Sequence, residues 1–196
     1  MKLSPLKAGL IAMPLIGLFA IVYVVFSAMD KGDTGALDSY ARGEMRAFVT
    51  VDNPPAQPNL VYTDGDGNEV RLSDYRGKVI LVNFWATWCG PCVEEMPALD
   101  RLQAEMGGDQ FDVVTVSLDR GIEPARDFLA RMELENLPLI HDGTFSSPGL
   151  VNALGLPMSI LYDPYGREIG RLPAPAEWDS EEAYALIRAA IARGSA

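Results

Sequence analysis

Residues 79–92 of the chain read VILVNFWATWCGPC. The first eight of them, residues 79–86, are almost all apolar, which is typical of a strand that is buried on both faces. Both cysteines of the chain, Cys89 and Cys92, follow directly. Apolar residues then recur at helical spacing through residues 91–106. A buried strand that leads straight into a helix predicts an α/β domain, with the two cysteines at the junction.

The remaining elements extend this strand–helix unit in both directions. Upstream, residues 60–63 and 69–72 flank the turn DGDGN and predict a hairpin. Downstream, apolar runs predict strands over residues 111–118, 137–141, 158–162 and 168–172. Helices are predicted over residues 123–134, over 148–154, and from near Asp179 to Gly194, with Glu182 completing a capping box. The first two long strands should run parallel, joined by a helical crossover.

The N-terminal segment predicts a membrane anchor. No residue between Lys7 and Asp30 is charged, and residues 8–29 would form a helix about 33 Å long, enough to cross a bilayer. Because Lys2 and Lys7 precede this run, the N-terminus should face the cytoplasm and the remainder should lie outside it. The competing interpretation is a cleaved signal peptide, whose apolar region is usually shorter. We predict an uncleaved transmembrane helix within residues 1–29.

Residues 30–58 separate this segment from the domain predicted over residues 59–194. Three prolines near the end of this range make it stiff and extended. Its first part has apolar residues at the spacing of one face of a short helix: Leu37, Tyr40, Ala41, Met45 and Phe48. We predict a linker over residues 30–58, with a packing helix or a tether in its first part; a partner-binding helix is the alternative.

The composition limits what the domain can bind. The 196 residues include 27 acidic and 16 basic side chains, a net charge of −11, so nucleic acid is not expected as a partner. Two cysteines and a single histidine, His141, exclude a four-cysteine zinc or iron–sulfur site. We expect no metal site and no cofactor other than a redox-active disulfide.

The spacing of the two cysteines predicts thiol–disulfide exchange. Cys89 should lie at a helix N-terminus, where free N–H groups and the helix dipole stabilise a thiolate. Cys92 should lie one turn further along and be more shielded. An exposed Cys89 would attack a target disulfide, and Cys92 would then resolve the mixed disulfide. The alternatives are a small structural disulfide, which would constrain the unfolded chain little, and a zinc half-site, for which only His141 remains as a further ligand.

Five short motifs lie along the domain: LSDYRGK at 72–78, NFWATWCGPC at 83–92, EMP at 95–97, GLP at 155–157 and PAEW at 175–178. Together they resemble the thioredoxin superfamily and, more narrowly, the membrane-anchored TlpA/ResA-like thiol:disulfide oxidoreductases, over about residues 59–191. The PAEW motif points to the TlpA branch. The resemblance implies a thioredoxin-like α/β fold: a central mixed sheet flanked by helices, with an N-terminal hairpin and a central insertion at about residues 119–148.

The same resemblance implies roles for residues near the cysteine pair. Pro157 resembles the cis-proline that faces the pair in this superfamily, and the backbone of Leu156 would bind an extended target. The alternative for Pro157 is an ordinary proline at the start of a strand. Trp88, Gly90 and Pro91 would join in substrate binding, although a core position is the alternative for Trp88.

Glu95 is predicted to be the third catalytic residue. It follows Cys92 by three residues and so shares its helix face, and ResA-like relatives carry a glutamate at this position. A carboxyl group there would exchange a proton with Cys92 if burial raises its pKa. The alternative is a solvated surface acid beside Glu94. Asn83 stands where thioredoxins have a buried aspartate, which leaves Glu95 or water as the base.

These observations together predict a reductant of specific disulfides in the periplasm, held in the inner membrane by one helix. The TlpA branch implies targets among the copper-site proteins of cytochrome oxidase, with a membrane thiol-electron carrier as the donor. The alternatives are reduction of apocytochrome c, a copper-binding chaperone, or an interaction module with an inert disulfide.

Overall fold

The computed structural model describes residues 37–51 and 53–194. Within these ranges the chain forms eight strands: β1 (Val49–Thr50), β2 (Tyr62–Asp64), β3 (Glu69–Val70), β4 (Val79–Trp85), β5 (Phe111–Ser117), β6 (Ile140–His141), β7 (Met158–Tyr162) and β8 (Glu168–Leu172). Four α-helices accompany them: α1 (Gly90–Met106), α2 (Ile122–Arg131), α3 (Ser147–Leu150) and α4 (Glu181–Gly194). There are also three short 3-10 helices, at Asp38–Tyr40, Gly43–Met45 and Leu72–Tyr75. The strands make one mixed sheet in the order β1-β8-β7-β4-β5-β6-β2-β3. The predicted thioredoxin-like α/β fold with a mixed central sheet is confirmed.

Strand β4 lies in the middle of the sheet, parallel to β5 and antiparallel to β7. All of its residues are buried, because successive side chains point to opposite faces of the sheet and a separate core covers each face. Val79, Leu81 and Trp85 pack with residues of α1, α2 and α4, whereas Ile80, Val82 and Phe84 pack on the opposite face with residues of β2, β5 and β7. This double burial explains the continuous apolar run of β4, which ends four residues before Cys89.

The predicted hairpin and insertion are both present and meet at one edge of the sheet. Strands β2 and β3 pair antiparallel, with Tyr62 opposite Val70. Strand β2 also pairs antiparallel with β6, which belongs to the insertion and runs parallel to β5. The insertion therefore supplies α2 and β6, which connect the hairpin to the central strands.

The described part of the predicted linker belongs to the domain instead. Leu37, Met45 and Phe48 are buried in the same core as α1 and α4, and β1 pairs with β8. A Cβ atom at Gly170 would lie 2.1 Å from the Phe48 ring, so only glycine lets this ring close over β8. Residues 37–51 therefore pack on the domain, as the packing-helix interpretation predicts, and are not a free linker. Residues 53–58 contact it through the backbone, by a bridge between Ala56 and Arg167 and a hydrogen bond from the Gln57 N–H to the Gly166 carbonyl.

Local structure in this segment and in the last helix also differs from the prediction. Two short 3-10 helices, Asp38–Tyr40 and Gly43–Met45, replace the single short helix. Helix α4 is capped by Ser180, whose Oγ accepts a hydrogen bond from the Ala183 N–H at 3.2 Å. Helix α4 therefore begins at Glu181, two residues after the predicted start near Asp179.

The predicted transmembrane helix within residues 1–29, and the cleaved signal peptide that is its alternative, lie outside the described residues. Among residues 37–51 and 53–194, the structure contains no helix with the length and apolarity needed to cross a membrane.

Candidate functional site

The two cysteines form a disulfide where β4 leads into α1, with their Cα atoms 5.2 Å apart. Cys89 is the residue that precedes the helix, and its Sγ accepts a hydrogen bond from the Cys92 N–H at 3.3 Å. Backbone N–H groups at the start of a helix and the helix dipole both stabilise a negative charge placed there. The structure thus places Cys89 where the sequence predicts it, in a position that favours the thiolate.

The two cysteines differ in accessibility. Cys89 is 7% exposed and Cys92 is fully buried. This order is the predicted one, with the attacking sulfur outside and the resolving sulfur inside. The sequence predicts an exposed Cys89, but most of its surface is covered because it lines a groove. A target disulfide has to reach Cys89 through that groove.

The groove beside Cys89 has a volume of about 400 Å³. It is formed by Trp88, Cys89 and Leu118, by residues 153–156, and by Phe145 and Pro148. None of these residues carries a charge, so the groove is an apolar approach to the disulfide. We name it the Cys89 groove.

The predicted substrate-binding residues are distributed around this groove. Trp88 is 63% exposed, which excludes the core position considered for it. Leu156 lines the Cys89 groove, and the peptide bond between Leu156 and Pro157 is cis, as the resemblance implies. Gly90 and Pro91 are exposed at the start of α1. The structure therefore brings Trp88 and Leu156 together with Cys89, and holds Gly90 and Pro91 on the adjoining surface.

Glu95 is buried, with 4% of its surface exposed, so the alternative of a solvated surface acid is wrong. Its Oε1 accepts a hydrogen bond from Asn83 Nδ2 at 2.8 Å. Its Oε2 accepts two more, from the Ala176 N–H at 3.0 Å and from Trp178 Nε1 at 3.2 Å. The neighbouring Glu94 is exposed, which makes the two adjacent acids a natural matched pair for experiments.

Burial raises the pKa of Glu95 to about 7. The hydrogen bonds from Ala176, Asn83 and Trp178 act in the opposite direction, because they stabilise the charged carboxylate. Burial is the larger effect, so the carboxyl group gains and loses its proton near neutral pH. A group with such a pKa is suited to general acid–base chemistry in that range.

Asn83 has the features needed to accommodate both protonation states of Glu95. Its Nδ2 donates to Glu95 and also to Ser159 Oγ at 2.9 Å, whereas its buried Oδ1 has no hydrogen-bond partner among the described residues. Rotation of the amide would turn Oδ1 towards Glu95, where it would accept a hydrogen bond from the protonated carboxyl group. Asn83 also connects this site to β7, because Ser159 follows the cis-proline by two residues.

Sequence reasoning missed two features of the site. The PAEW motif is visible in the sequence, but nothing in its spacing indicates that Ala176 and Trp178 donate hydrogen bonds to a carboxylate 81 and 83 residues earlier in the chain. Phe145 lines the Cys89 groove, yet as a single aromatic in a polar turn it gives no sequence signal.

The alternative of a metal site was also considered for His141. Its ring Nε2 hydrogen-bonds to the backbone carbonyl of Asp119 at 2.8 Å, at the end of β6. In the part of the chain that the structure describes, no group of three or more His, Cys, Asp or Glu side chains is placed to hold a metal ion.

Comparison with known proteins matches the Redoxin family model to residues 50–165, which is more than half of the chain. The thiol-disulfide oxidoreductase ResA of Bacillus cereus is 29% identical over 127 residues, covering 65% of this chain and 73% of the relative. ResA of Geobacillus kaustophilus is 35% identical over 109 residues, covering 56% of this chain and 62% of the relative.

Among solved structures, a Chlorobium tepidum protein assigned as a thiol:disulfide interchange protein DsbE is 32% identical, with a TM-score of 0.65. The match covers 72% of this chain and 99% of that protein. Together with the Cys89–Cys92 disulfide, these likenesses show that the chain belongs to the Redoxin family and is a ResA/TlpA-like thiol-disulfide oxidoreductase of the thioredoxin superfamily.

Proposed function

We propose that the protein is a membrane-anchored periplasmic reductant of specific protein disulfides. The observation that carries the proposal is the pairing of Cys89, which opens on an apolar groove, with the fully buried Cys92. The Gly-Pro sequence between the cysteines is the one found in thioredoxin, a strong reductant, and it favours electron transfer to the target rather than from it.

The reaction begins with both cysteines reduced. The Cys89 thiolate attacks one sulfur of the target disulfide, a bond forms between the two sulfurs, and the other target sulfur leaves as a thiolate. Cys92 then attacks Cys89 Sγ, which closes the Cys89–Cys92 disulfide and releases the second target thiolate. Two electrons pass to the target, and a membrane thiol-electron carrier is proposed to reduce Cys89 and Cys92 again.

Glu95 is proposed to act in the second step. Cys92 must lose its proton before it attacks, and it lies in the interior, out of contact with bulk water. Glu95 is three residues away on the same helix and has a pKa of about 7, so its carboxylate can take up that proton at neutral pH. The proton returns when a donor reduces the disulfide.

The proposed targets are the copper-site proteins of cytochrome oxidase, whose cysteines must be reduced before they bind copper. The PAEW motif of the TlpA branch supports this proposal, and Trp178 within it holds Glu95. Apocytochrome c is the alternative target, and it is favoured by the likeness to proteins named ResA. Either target would be met outside the cytoplasm, where thiols are otherwise oxidised.

The proposed anchor is the apolar segment at residues 8–29, with the domain on the periplasmic side of the inner membrane. Labelling of intact cells with a maleimide that does not cross the inner membrane tests this placement. Reduced Cys89 should react, and the labelled protein should stay with the membrane fraction after alkaline washing. Protection of Cys89 from the label in intact cells, or release of the protein by the wash, would contradict the proposal.

A trapping experiment identifies the target. In the full chain carrying Cys92→Ser, the mixed disulfide at Cys89 cannot be resolved and should accumulate in cells. The matched control, Cys89→Ser, should form no adduct because Cys92 is fully buried. We expect a copper-site protein of cytochrome oxidase in the adduct; apocytochrome c there would favour the alternative target.

The same two variants separate the remaining alternatives. An interaction module with an inert disulfide would keep its full activity in cells after Cys89→Ser, which the proposal does not allow. A copper-binding chaperone would lose copper with either substitution, without forming mixed disulfides.

A further inference from the structure

We propose that Phe145 is a specificity-determining residue, which selects target disulfides whose attacked cysteine adjoins a bulky apolar side chain. The inference rests on the proposed reductive exchange at Cys89 and adds the chemistry of the segment that is recognised. The occupant is therefore an extended segment of a disulfide-bonded protein, with its cysteine at Cys89 and its apolar neighbour in the Cys89 groove.

The position of the groove requires such an occupant. A target sulfur has to come within bonding distance of Cys89 Sγ, and Cys89 is itself part of the groove wall. The residues next to the target cysteine must then lie between Trp88, Phe145 and Leu154, which are 63%, 56% and 102% exposed. The docking surface is thus continuous with the reacting disulfide.

The backbone shows that Phe145 is held in this exposed position. Its φ of 54° lies in the left-handed region, which is unfavourable for a bulky residue and persists only when neighbours fix it. Asp142 provides that support. Its carbonyl accepts the Phe145 N–H at 3.2 Å, and its buried carboxylate accepts the N–H groups of Thr144 at 3.0 Å and Ser147 at 2.8 Å.

The chemistry of the groove indicates which side chain it takes. A charged or strongly polar neighbour would lose its water there and find no charged partner, which is costly. A second groove, of about 790 Å³, shares Trp88, Leu118 and Phe145 with the Cys89 groove but also includes three charged residues, Asp119, Arg120 and Asp142. The apolar side chain therefore belongs beside Cys89, where no charged residue lines the groove, and Phe145 lies at the border between the two grooves.

The test uses the full chain, reduced and in detergent, with two peptides that are identical except for the residue before their single cysteine. One peptide has Phe at that position and the other has Ser, and each cysteine is activated as its mixed disulfide with thionitrobenzoate. All proteins compared carry Cys92→Ser, which prevents resolution of a mixed disulfide, so only attack of Cys89 on the peptide sulfur releases the chromophore. The measured quantity is the ratio of the two rate constants, which cancels any general change in thiol reactivity.

We expect the protein to prefer the Phe peptide about tenfold, as one large apolar contact allows. Phe145→Ser should lower the ratio to about two or less, and the conservative Phe145→Leu should retain most of it. Leu150→Ser is the matched control: Leu150 is 57% exposed but lies outside the groove, so the ratio should stay at its original value.

The outcomes also separate this inference from the proposed function. A ratio near one with Phe145 intact, or an unchanged ratio in Phe145→Ser, would overturn the role of Phe145 while attack by Cys89 itself continues. Attack on neither peptide would instead contradict the proposed function, and with it the inference.

Discussion

Glu95, three residues after Cys92, and Asp142, whose turn holds Phe145, are both buried acids, at 4% and 2% exposure, yet their surroundings move their pKa values in opposite directions. Glu95 lies in the core behind Cys92, where burial outweighs three N–H donors and raises the pKa to about 7. Burial also acts to raise the pKa of Asp142, but hydrogen bonds from Thr144 and Ser147 together outweigh it and lower the pKa.

The difference follows from where the donors come from. Asp142 lies in a turn and accepts hydrogen bonds from residues two and five positions later, so one short segment surrounds a fixed anion. Glu95 takes its donors from β4 and from the segment after β8, which leaves it deep among packed elements. One acid can therefore exchange a proton at neutral pH, and the other stabilises the turn that contains Phe145.

Removal of the fixed anion should have the largest effect on stability. Asp142→Ala leaves the fully buried Ser147 N–H and the Thr144 N–H without their acceptor, and hydrogen bonds to charged groups contribute about 1.5–3 kcal/mol each. We expect the free energy of unfolding to fall by about 3 kcal/mol at every pH between 5 and 8, measured by urea unfolding.

The control for this substitution is Asp127→Ala, at an exposed position of α2. It should change the free energy of unfolding by less than about 0.5 kcal/mol. An equally small effect of Asp142→Ala would show that the turn does not depend on its carboxylate.

Glu95→Gln should act on the pH dependence of stability. Because the folded pKa of about 7 lies above the ordinary value of 4.5, the folded protein holds the proton where the unfolded chain has lost it. The resulting contribution is largest below about pH 4.5 and is lost as the pH rises through about 7. We expect the unfolding free energy of the protein, relative to Glu95→Gln, to fall by about 2–3 kcal/mol between pH 5 and 8.

The amide of this variant can be accommodated, because a rotated Asn83 would offer Oδ1 as its acceptor. Glu94→Gln, at the exposed neighbouring position, is the control and should leave the pH dependence unchanged. A parallel course of the protein and Glu95→Gln across this range would rule out a raised pKa at Glu95.

Trp178→Phe should have the smallest effect on the pH dependence, of about 1 kcal/mol, because it removes one of the three donors to the Glu95 carboxylate. Loss of the Nε1 hydrogen bond destabilises the charged carboxylate, so the Glu95 pKa should rise further. The pH at which resolution of the mixed disulfide becomes fast should move upward. This shift in pH should vanish when Trp178→Phe is combined with Glu95→Gln. If it persists in the double variant, a group other than Glu95 causes it.

The sequence predicts best those elements whose residues are buried along their whole length. Strand β4 ends one residue earlier than predicted, and α1 begins one residue earlier. Because both faces of β4 are buried, its apolar residues form a continuous run that the sequence shows directly. The cysteine pair follows from the same stretch, because its position depends only on where the strand ends and the helix begins.

Features that depend on distant contacts could not be predicted in this way. The sequence predicts a linker at Met45 and Phe48 because their burial depends on α1 and α4, which lie far along the chain. The depth of Glu95 depends on Trp178, which is 83 residues away in the chain. The position of Phe145 depends on a turn whose polar residues resemble those of any surface loop.

The reduction potential of the Cys89–Cys92 pair tests the central claim, that this site donates electrons to target disulfides. The full chain in detergent would be equilibrated with dithiothreitol or glutathione buffers and followed by tryptophan fluorescence, for which Trp88 is adjacent to Cys89. We predict a potential below about −200 mV, towards the value of thioredoxin. A potential near about −120 mV, the value of the oxidant DsbA, would contradict the account.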